Sequence, residues 1–367
     1  MTGATVAAWS GVGVGGRLID EVTVSGFTSI RQATVTLTRL NVLIGANGAG
    51  KSNFLRVLEL FSRLAEGRFS EAVASGGGAS ALTRRDMKRP SLTARADATS
   101  YGASFGKTAD DRLVIEDERL VDRKGPSVLP VNAHEATALL SDDRSVWLRE
   151  ALAGCRVFHF NNTGRDAQVR MPVPTADNLA ISPDGGNLAA VLWSLRQLDK
   201  AAYGRVVDAV RLVAPFFQDF VLQPDTRNDL IRLRWREVGS DAVYGVHQMS
   251  DGTLRFVCLA TLLLHPAVPR LVVLDEPELG MHPFAVAQFV DLIRGLPDDR
   301  QVVIATQSIA LLEQFALTDV VVVDRERGAS VFHRPEAAKL SSWLEEYTLG
   351  ELWQSNLIGG RPMRENP

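Results

Sequence analysis

Asn41-Val42-Leu43-Ile44-Gly45-Ala46-Asn47-Gly48-Ala49-Gly50-Lys51-Ser52-Asn53 is the stretch on which the reading of the chain turns. An aliphatic run ends in Gly45, Gly50-Lys51-Ser52 follows, and Phe54, Leu55, Val57, Leu58 and Phe61 then recur at helical spacing. The order is strand, loop, helix. In G-x-x-x-x-G-K-S the small residues let backbone N–H groups turn inward around phosphate oxygens, at a helix N-terminus whose dipole already favours an anion. Gly45, Ala46, Asn47, Gly48, Ala49, Gly50, Lys51, Ser52 and Asn53 are therefore the expected nucleotide-binding set. Lys51 would reach the β- and γ-phosphates and Ser52 would ligate Mg2+. A plain glycine-rich turn before a helix shares these letters; the strand on one side and the amphipathic helix on the other set this stretch apart.

A second half of such a site stands far downstream. Leu271-Val272-Val273-Leu274-Asp275-Glu276 is four aliphatics ending in two carboxylates, as expected of a strand buried on both faces whose C-terminal end opens onto a ligand. In phosphoryl transfer Asp275 would hold the metal, directly or through water, and Glu276 would orient and deprotonate the attacking water. Just upstream, Gln248-Met249-Ser250-Asp251-Gly252-Thr253 opens an apolar helix carrying Leu254, Val257, Cys258, Ala260, Thr261 and Leu264. Ser-x-Gly at a helix N-terminus offers a hydroxyl, exposed amides and a favourable dipole to a phosphate. A simple helix cap would use the same residues.

Composition sets bounds. The chain has 367 residues, 46% hydrophobic and 23% charged, enough for one large domain with an insertion or for two domains. A net charge of −3 gives no global electrostatic reason to expect nucleic acid. Cys155 and Cys258 are the only cysteines, too few for a disulfide framework or a zinc site, and a reducing cytoplasm fits best. The longest apolar run, Phe256 to Leu264, falls far below the roughly 20 residues of a membrane helix. Residues 1–16, rich in Gly, Ala and Val, read as a loose leader.

Between these landmarks the pattern changes repeatedly. Arg17 to Ser25 and Ala33 to Leu37 alternate as strands, and a helix is expected from Ser52 to about Glu66. Between Arg63 and Arg95 seven basic residues face three acids, which reads as a solvated loop face or a contact for nucleic acid or an acidic partner. Ser91 to about Val131 suggests an antiparallel lobe, Ala133 to Leu152 a helix, and Arg156 to Phe160 a strand. Asn187 is the expected N-cap of a helix through Leu198, and Tyr203 to Ala214 a further helix. Phe220 to Gln223 and Leu230 to Val238 read as a hairpin whose Arg232, Arg234 and Arg236 form a cationic face.

Four ordered motifs carry a resemblance: Gly45 to Ser52, Ser250 to Thr253, Asp275 to Pro283 (DEPELGMHP), and Ala305-Thr306-Gln307-Ser308. Together they resemble the ABC-type AAA family ATPases that include RecF, the chromosome-maintenance heads and the OLD-type proteins, and most of all their stand-alone predicted-ATPase branch. Val24 to Ile30 at one end, and Trp343 to Tyr347 with Leu349 to Trp353 at the other, extend the resemblance over nearly the whole chain after Gly16. The resemblance implies an α/β P-loop fold of ABC-ATPase type, with an N-terminal antiparallel β-lobe and an inserted β/helical subdomain. Its core would come from about 17–66 and 245–335, with a lobe at 67–244 and a helical tail at 336–360, all within one head spanning 17–367.

It also implies ATP and Mg2+ as cofactors and a homodimer that sandwiches two ATP molecules. Lys51, Glu276 and Gln307 would be catalytic, Ser52 and Asp275 would hold the metal, and Ser250 and Gly252 would act on the γ-phosphate of the other copy. Glu278 to His282 would line the dimer interface, with His282 structural. Two departures stand out: Gln307 replaces a histidine found in many relatives, and Thr28 replaces an arginine; a Q-loop glutamine is not assignable. The implied activity is ATP hydrolysis gating dimerisation, acting on DNA or a protein effector in repair, genome maintenance or defence. The alternative is an ATP-binding switch with little turnover that controls a separately encoded nuclease or toxin. A transporter motor is disfavoured by the β-rich opening, the long insertion and the tail.

Overall fold

The aliphatic runs that end in Ile44, Asp275 and Ala305 are hydrophobic at every position, so each needs cover on both faces, which parallel strands receive. The computed structural model describes residues 18–129, 149, 151, 152 and 155–361. The expected leader and most of the expected helix Ala133–Leu152 lie outside the described residues.

In chain order the strands are β1 (Glu21–Phe27), β2 (Ile30–Thr36), β3 (Leu40–Ile44), β4 (Ser91–Ala96), β5 (Thr99–Lys107), β6 (Leu113–Asp122), β7 (Gly125–Leu129), β8 (Arg156–Phe158), β9 (Val173–Pro174), β10 (Phe217–Phe220), β11 (Leu230–Ile231), β12 (Arg234–Glu237), β13 (Val243–Gly245), β14 (Leu271–Asp275), β15 (Gln301–Ala305), β16 (Val320–Glu326) and β17 (Ala329–His333). One six-stranded sheet has the order β17-β16-β3-β15-β14-β8, parallel throughout except for the β16–β17 hairpin. The second is antiparallel, β2-β1-β4-β5-β6-β7.

Alternation within the parallel strands divides the interior in two. Val42, Ile44, Val272, Leu274, Val302 and Ile304 face the helices Leu188–Leu198, Lys200–Val213, Asp251–Leu264 and Pro283–Arg294. Leu43, Val273, Val303 and Ala305 face helix Lys51–Ala65, which shares that core with Val22, Val24, Leu92 and Ala94 of the antiparallel sheet. The helix that follows the glycine-rich loop is thus held between the two sheets.

The two sheets and the helical sector give the expected α/β architecture, with differences in detail. β8 lies within 67–244 yet pairs in parallel with β14, so this part of the expected insertion belongs to the core sheet. β4 to β7 likewise extend the sheet begun by β1 and β2. The expected hairpin is re-paired: β10 joins β12, while Leu230–Ile231 turns away to β9, because Asp225 to Asp229 forms a local turn between them. Asn187 does precede its helix, but its side chain accepts from Ser182 N and donates to Ala180 O instead of capping.

Arg232 and Arg236 are exposed and Arg234 half-buried, with Ile231, Leu233 and Trp235 buried between them. In the basic stretch, Arg63, Arg68, Arg84, Arg89 and Arg95 pair with Glu59, Glu71, Asp86, Glu116 and Glu21, which favours the solvated-face reading. Both cysteines are buried and free.

Candidate functional site

The parallel sheet brings the ends of β3, β8, β14 and β15 to one edge, where ligands bind in open α/β sheets. From β3 the chain enters the glycine-rich loop. Gly45, Gly48 and Gly50 have φ of +153°, +76° and +118°, a region that disfavours a side chain. A Cβ on Gly45 would fall 2.1 Å from Val323 O, and one on Gly50 would fall 2.0 Å from Ser330 Oγ. The loop is fastened from below: Ser29 Oγ lies 2.6 Å from Ser330 Oγ, Asn53 Nδ2 donates to Ser29 Oγ at 2.7 Å, and Ser330 Oγ donates to Ala49 O. Asn53, expected to bind nucleotide, therefore turns its amide to the β1–β2 turn. Ser330 gave no signal in the sequence, because only the β16–β17 hairpin brings it here.

Helix Lys51–Ala65 starts at Gly50 with no side-chain cap, leaving its first amides for a ligand. Lys51 is buried, and its Nζ donates to Gly45 O at 2.6 Å and Ala46 O at 3.1 Å. Burial lowers its pKa, while Glu276 and Asp275 act in the opposite direction. The loop has the glycine conformations, uncapped helix and lysine that a polyphosphate requires. Arg325, unremarked in the sequence, donates to Gly48 O at 3.4 Å from the β16–β17 hairpin.

Facing the loop, Asp275 ends β14 with the Ser52 hydroxyl close enough to act on its carboxyl. Burial holds its carboxyl above the usual range, and the Ser52 hydroxyl partly offsets this. A hydroxyl and a carboxylate are hard oxygen donors, the set Mg2+ takes when phosphates complete its shell. Among the described residues no group of three or more His, Cys, Asp or Glu forms a self-contained metal site. Glu276 has a φ of +47°, a strained conformation for a residue with a Cβ, and its N–H donates to Ala305 O at 2.8 Å. Gln307 reaches it from the end of β15, Nε2 donating to Glu276 Oε1 at 2.5 Å. The structure thus joins Lys51, Ser52, Asp275, Glu276 and Gln307 at one edge.

His159 was missed. It follows β8 directly, and since Phe158 pairs with Leu274 it stands beside Asp275, Nδ1 3.8 Å from Oδ2. A three-residue strand with one alternation gave little to read in the sequence. Glu278 is buried, accepts a hydrogen bond from the Thr306 hydroxyl, and has its carboxyl raised chiefly by burial. His282 caps the next helix, its Nδ1 accepting from Phe284 N at 3.2 Å, as its structural reading expects. At the β1–β2 turn, beside Thr28, Arg84 reaches in to donate to Ser29 O at 3.2 Å.

Ser250 and Gly252 lie elsewhere. Ser250 caps helix Asp251–Leu264 by accepting from Thr253 N, and Ser250 and Asp251 are exposed. A Cβ on Gly252 would fall 2.5 Å from Gly280 O, so this turn sits directly on the Glu278–His282 loop. Two buried arginines brace it. Arg170 donates to Val246 O and to Asp251 Oδ1, and Arg255 donates to Phe160 O and Asn161 O, next to His159.

Residues 18–122 match the family described as an AAA ATPase domain, and residues 155–313 the one described as "AAA domain, putative AbiEii toxin, Type IV TA system". No curated protein matches the chain. The chain is similar in structure to an Smc head bound to the C-winged helix domain of ScpA, with 15% identity, 88% of this chain and 99% of that one covered, and a TM-score of 0.53. It is also similar to an Smc head domain with an extended coiled coil, bound to the C-terminal domain of ScpA derived from Pyrococcus furiosus. There the identity is 14%, the coverage 90% and 99%, and the TM-score 0.55. At these identities the likeness is one of fold.

Proposed function

We propose that this chain, whose residues 18–122 and 155–313 match two AAA ATPase-domain families, is an ABC-like ATPase that hydrolyses ATP to ADP and phosphate with Mg2+ to gate its own dimerisation. The observation that carries this reading is the Glu276–Gln307 contact at the ends of β14 and β15, beside the Ser52–Asp275 pair and the glycine-rich loop.

The loop amides and Lys51 hold the β- and γ-phosphates. Ser52 and Asp275 would hold the metal, which when bound would supply neutralisation of the phosphate charge. Glu276 accepts the proton of the attacking water, and Gln307 orients both Glu276 and the γ-phosphate as a hydrogen-bond donor that does not titrate. Ser250 and Gly252 serve the other copy: they sit on an exposed helix N-terminus, away from the chain's own loop. Closing two copies around ATP makes turnover a timer for dimer opening. The output is a switch on DNA or on a protein effector.

The fixed amide of Gln307 also favours a second reading, a slow ATPase whose bound state restrains a separately encoded nuclease or toxin.

Light scattering of the wild type and Glu276→Gln, with and without Mg-ATP, tests the central claim. The variant is expected to accumulate as an ATP-bound dimer with turnover reduced by about 100-fold or more. A monomer at saturating nucleotide would overturn the sandwich. Turnover unchanged by duplex DNA at low salt would count against DNA as the target.

A further inference from the structure

We propose that Trp343, Leu344 and Tyr347 form a docking surface for a basic, amphipathic segment of a partner protein, wired to the phosphate loop and to Gln307. This rests on the switch reading above and names the partner's chemistry.

Helix Ala337–Leu344 buries only Leu340, and every residue from 341 to 348 is exposed. Trp343 and Tyr347 keep 42% and 43% of their surface in water, with ring centroids 5.7 Å apart. Leu344 lies beside them at 37%. Paired large aromatics on an exposed helix end are the side chains that anchor protein interfaces, since they bury much area at small entropic cost.

Charge selects the occupant. From 336 to 351 there are four acids, Glu336, Glu345, Glu346 and Glu351, against Lys339 alone. Lys339 is bonded to Glu336, and the Glu351 carboxylate accepts from Thr348 N. Glu345 and Glu346 have no partner among the described residues. An apolar patch rimmed by unpaired carboxylates fits a segment with leucine-like residues on one face and lysine or arginine beside them. A second copy of the patch would set these acids against themselves, and an anionic lipid surface would repel them.

The wiring is continuous. Thr348 Oγ1 donates to Glu313 Oε1 at 3.1 Å. A Cβ on Gly350 would fall 2.4 Å from Ile309 Cγ2, so helix Leu349–Gln354 rests on helix Ile309–Leu312, which begins two residues after Gln307. Farther on, Gly360 N donates to Asp324 Oδ1 at 2.9 Å, and a Cβ on Gly360 would lie 3.3 Å from Gly45 Cα. One segment therefore packs both against the helix that follows Gln307 and against Gly45 of the glycine-rich loop. A partner that prefers one nucleotide state must, by linkage, change nucleotide affinity by the same factor.

The test uses the full chain and a fluorescein-labelled leucine–lysine amphipathic helix of about 14 residues, four turns, with a leucine–glutamate counterpart of equal length. Fluorescence anisotropy should show the lysine peptide binding at least about tenfold more tightly than the glutamate one, and a similar loss for Trp343→Ser/Tyr347→Ser and for Glu345→Lys/Glu346→Lys. Unfolding temperatures of these exposed variants report whether the fold survives. Adding ATP should shift the wild-type peptide Kd by about threefold or more and leave that of Lys51→Ala unchanged.

Equal binding of both peptides, or undiminished binding by the variants, overturns the docking surface. An ATP-independent Kd overturns the wiring. Loss of the ATP dimer in Trp343→Ser/Tyr347→Ser assigns the patch to a second copy and overturns the partner. Peptide binding by Lys51→Ala upholds the surface even where the Glu276→Gln dimer fails, so the two readings fall separately.

Discussion

The glycine-rich loop and the Ser250 turn are both helix N-termini, and they are built in opposite ways. Gly50 provides no side-chain cap, so the amides of helix Lys51–Ala65 stay free, and the loop around them is fastened by Ser29, Asn53 and Ser330. Ser250 satisfies its own helix through Thr253 N and stands in solvent on the Gly280 loop. An uncapped end in a rigid cradle is suited to carry the phosphates alone. A self-capped, exposed end can only touch an anion brought to it from outside. The comparison teaches that the chain presents two helix N-termini of different kinds, one left uncapped in a braced loop and one satisfied by its own serine, which the proposed sandwich would use for different molecules.

The largest effect that would break this comparison comes from exchanging the roles of the two ends. Lys51→Ala is expected to weaken ATP binding by about 100-fold or more, since it removes a charged donor from a partly buried site. Ser250→Ala should leave ATP affinity of the monomer within about twofold while lowering turnover by about 100-fold, the signature of a contact made only in the closed state. It also loses its cap, costing about 1 kcal/mol of stability. Isothermal titration at low protein concentration, paired with steady-state turnover, separates these outcomes. If Ser250→Ala weakened monomer binding as Lys51→Ala does, the two ends would not be different in kind.

The same contrast explains what was legible in the sequence. The loop, the acidic strand and Gln307 are local: a strand period, a fixed motif spacing and a helical stripe are written within a few residues of each other. Ser330, His159 and Arg325 are not, because each reaches the site through pairing between strands distant in the chain. The hairpin error had a different cause. Ile231 to Arg236 alternates, and alternation cannot show that Leu230–Ile231 leaves for β9 while Arg234–Glu237 stays with β10. Asn53 and Asn187 were read by residue type and position, but their amides found other acceptors once the tertiary neighbours were in place.

His159 offers a smaller and more selective probe. His159 Nδ1 stands 3.8 Å from Asp275 Oδ2, near enough to orient the carboxylate that would hold the metal. His159→Ala is expected to weaken metal-dependent ATP binding by about 10-fold while leaving metal-free binding unchanged. Mn2+ titration followed by electron paramagnetic resonance, with ATP present, reads the metal directly. An unchanged Mn2+ affinity would leave the cradle and Asp275 as the whole of the metal site.

The smallest effect concerns Glu278, beneath the interface loop. Its carboxyl is held above its ordinary value mainly by burial, the Thr306 hydroxyl opposing this, with Glu276 and Asp275 adding to the rise. One oxygen takes the Thr306 hydrogen bond; the other is buried without a partner. For an acid whose folded pKa is raised, the stabilising contribution is fully present below the unfolded value and is lost as pH rises through the folded one. Glu278→Gln keeps the acceptor for Thr306 and carries no charge, so it should match the wild type in acid. Above the raised folded value it should become the more stable form, the gap widening as pH rises. Scanning calorimetry across that pH range measures the difference. A gap that shrank or reversed as pH rose would mean that Glu278 is ionised at little cost, and that its carboxylate is paired in a way the neighbouring Thr306 hydroxyl alone does not supply.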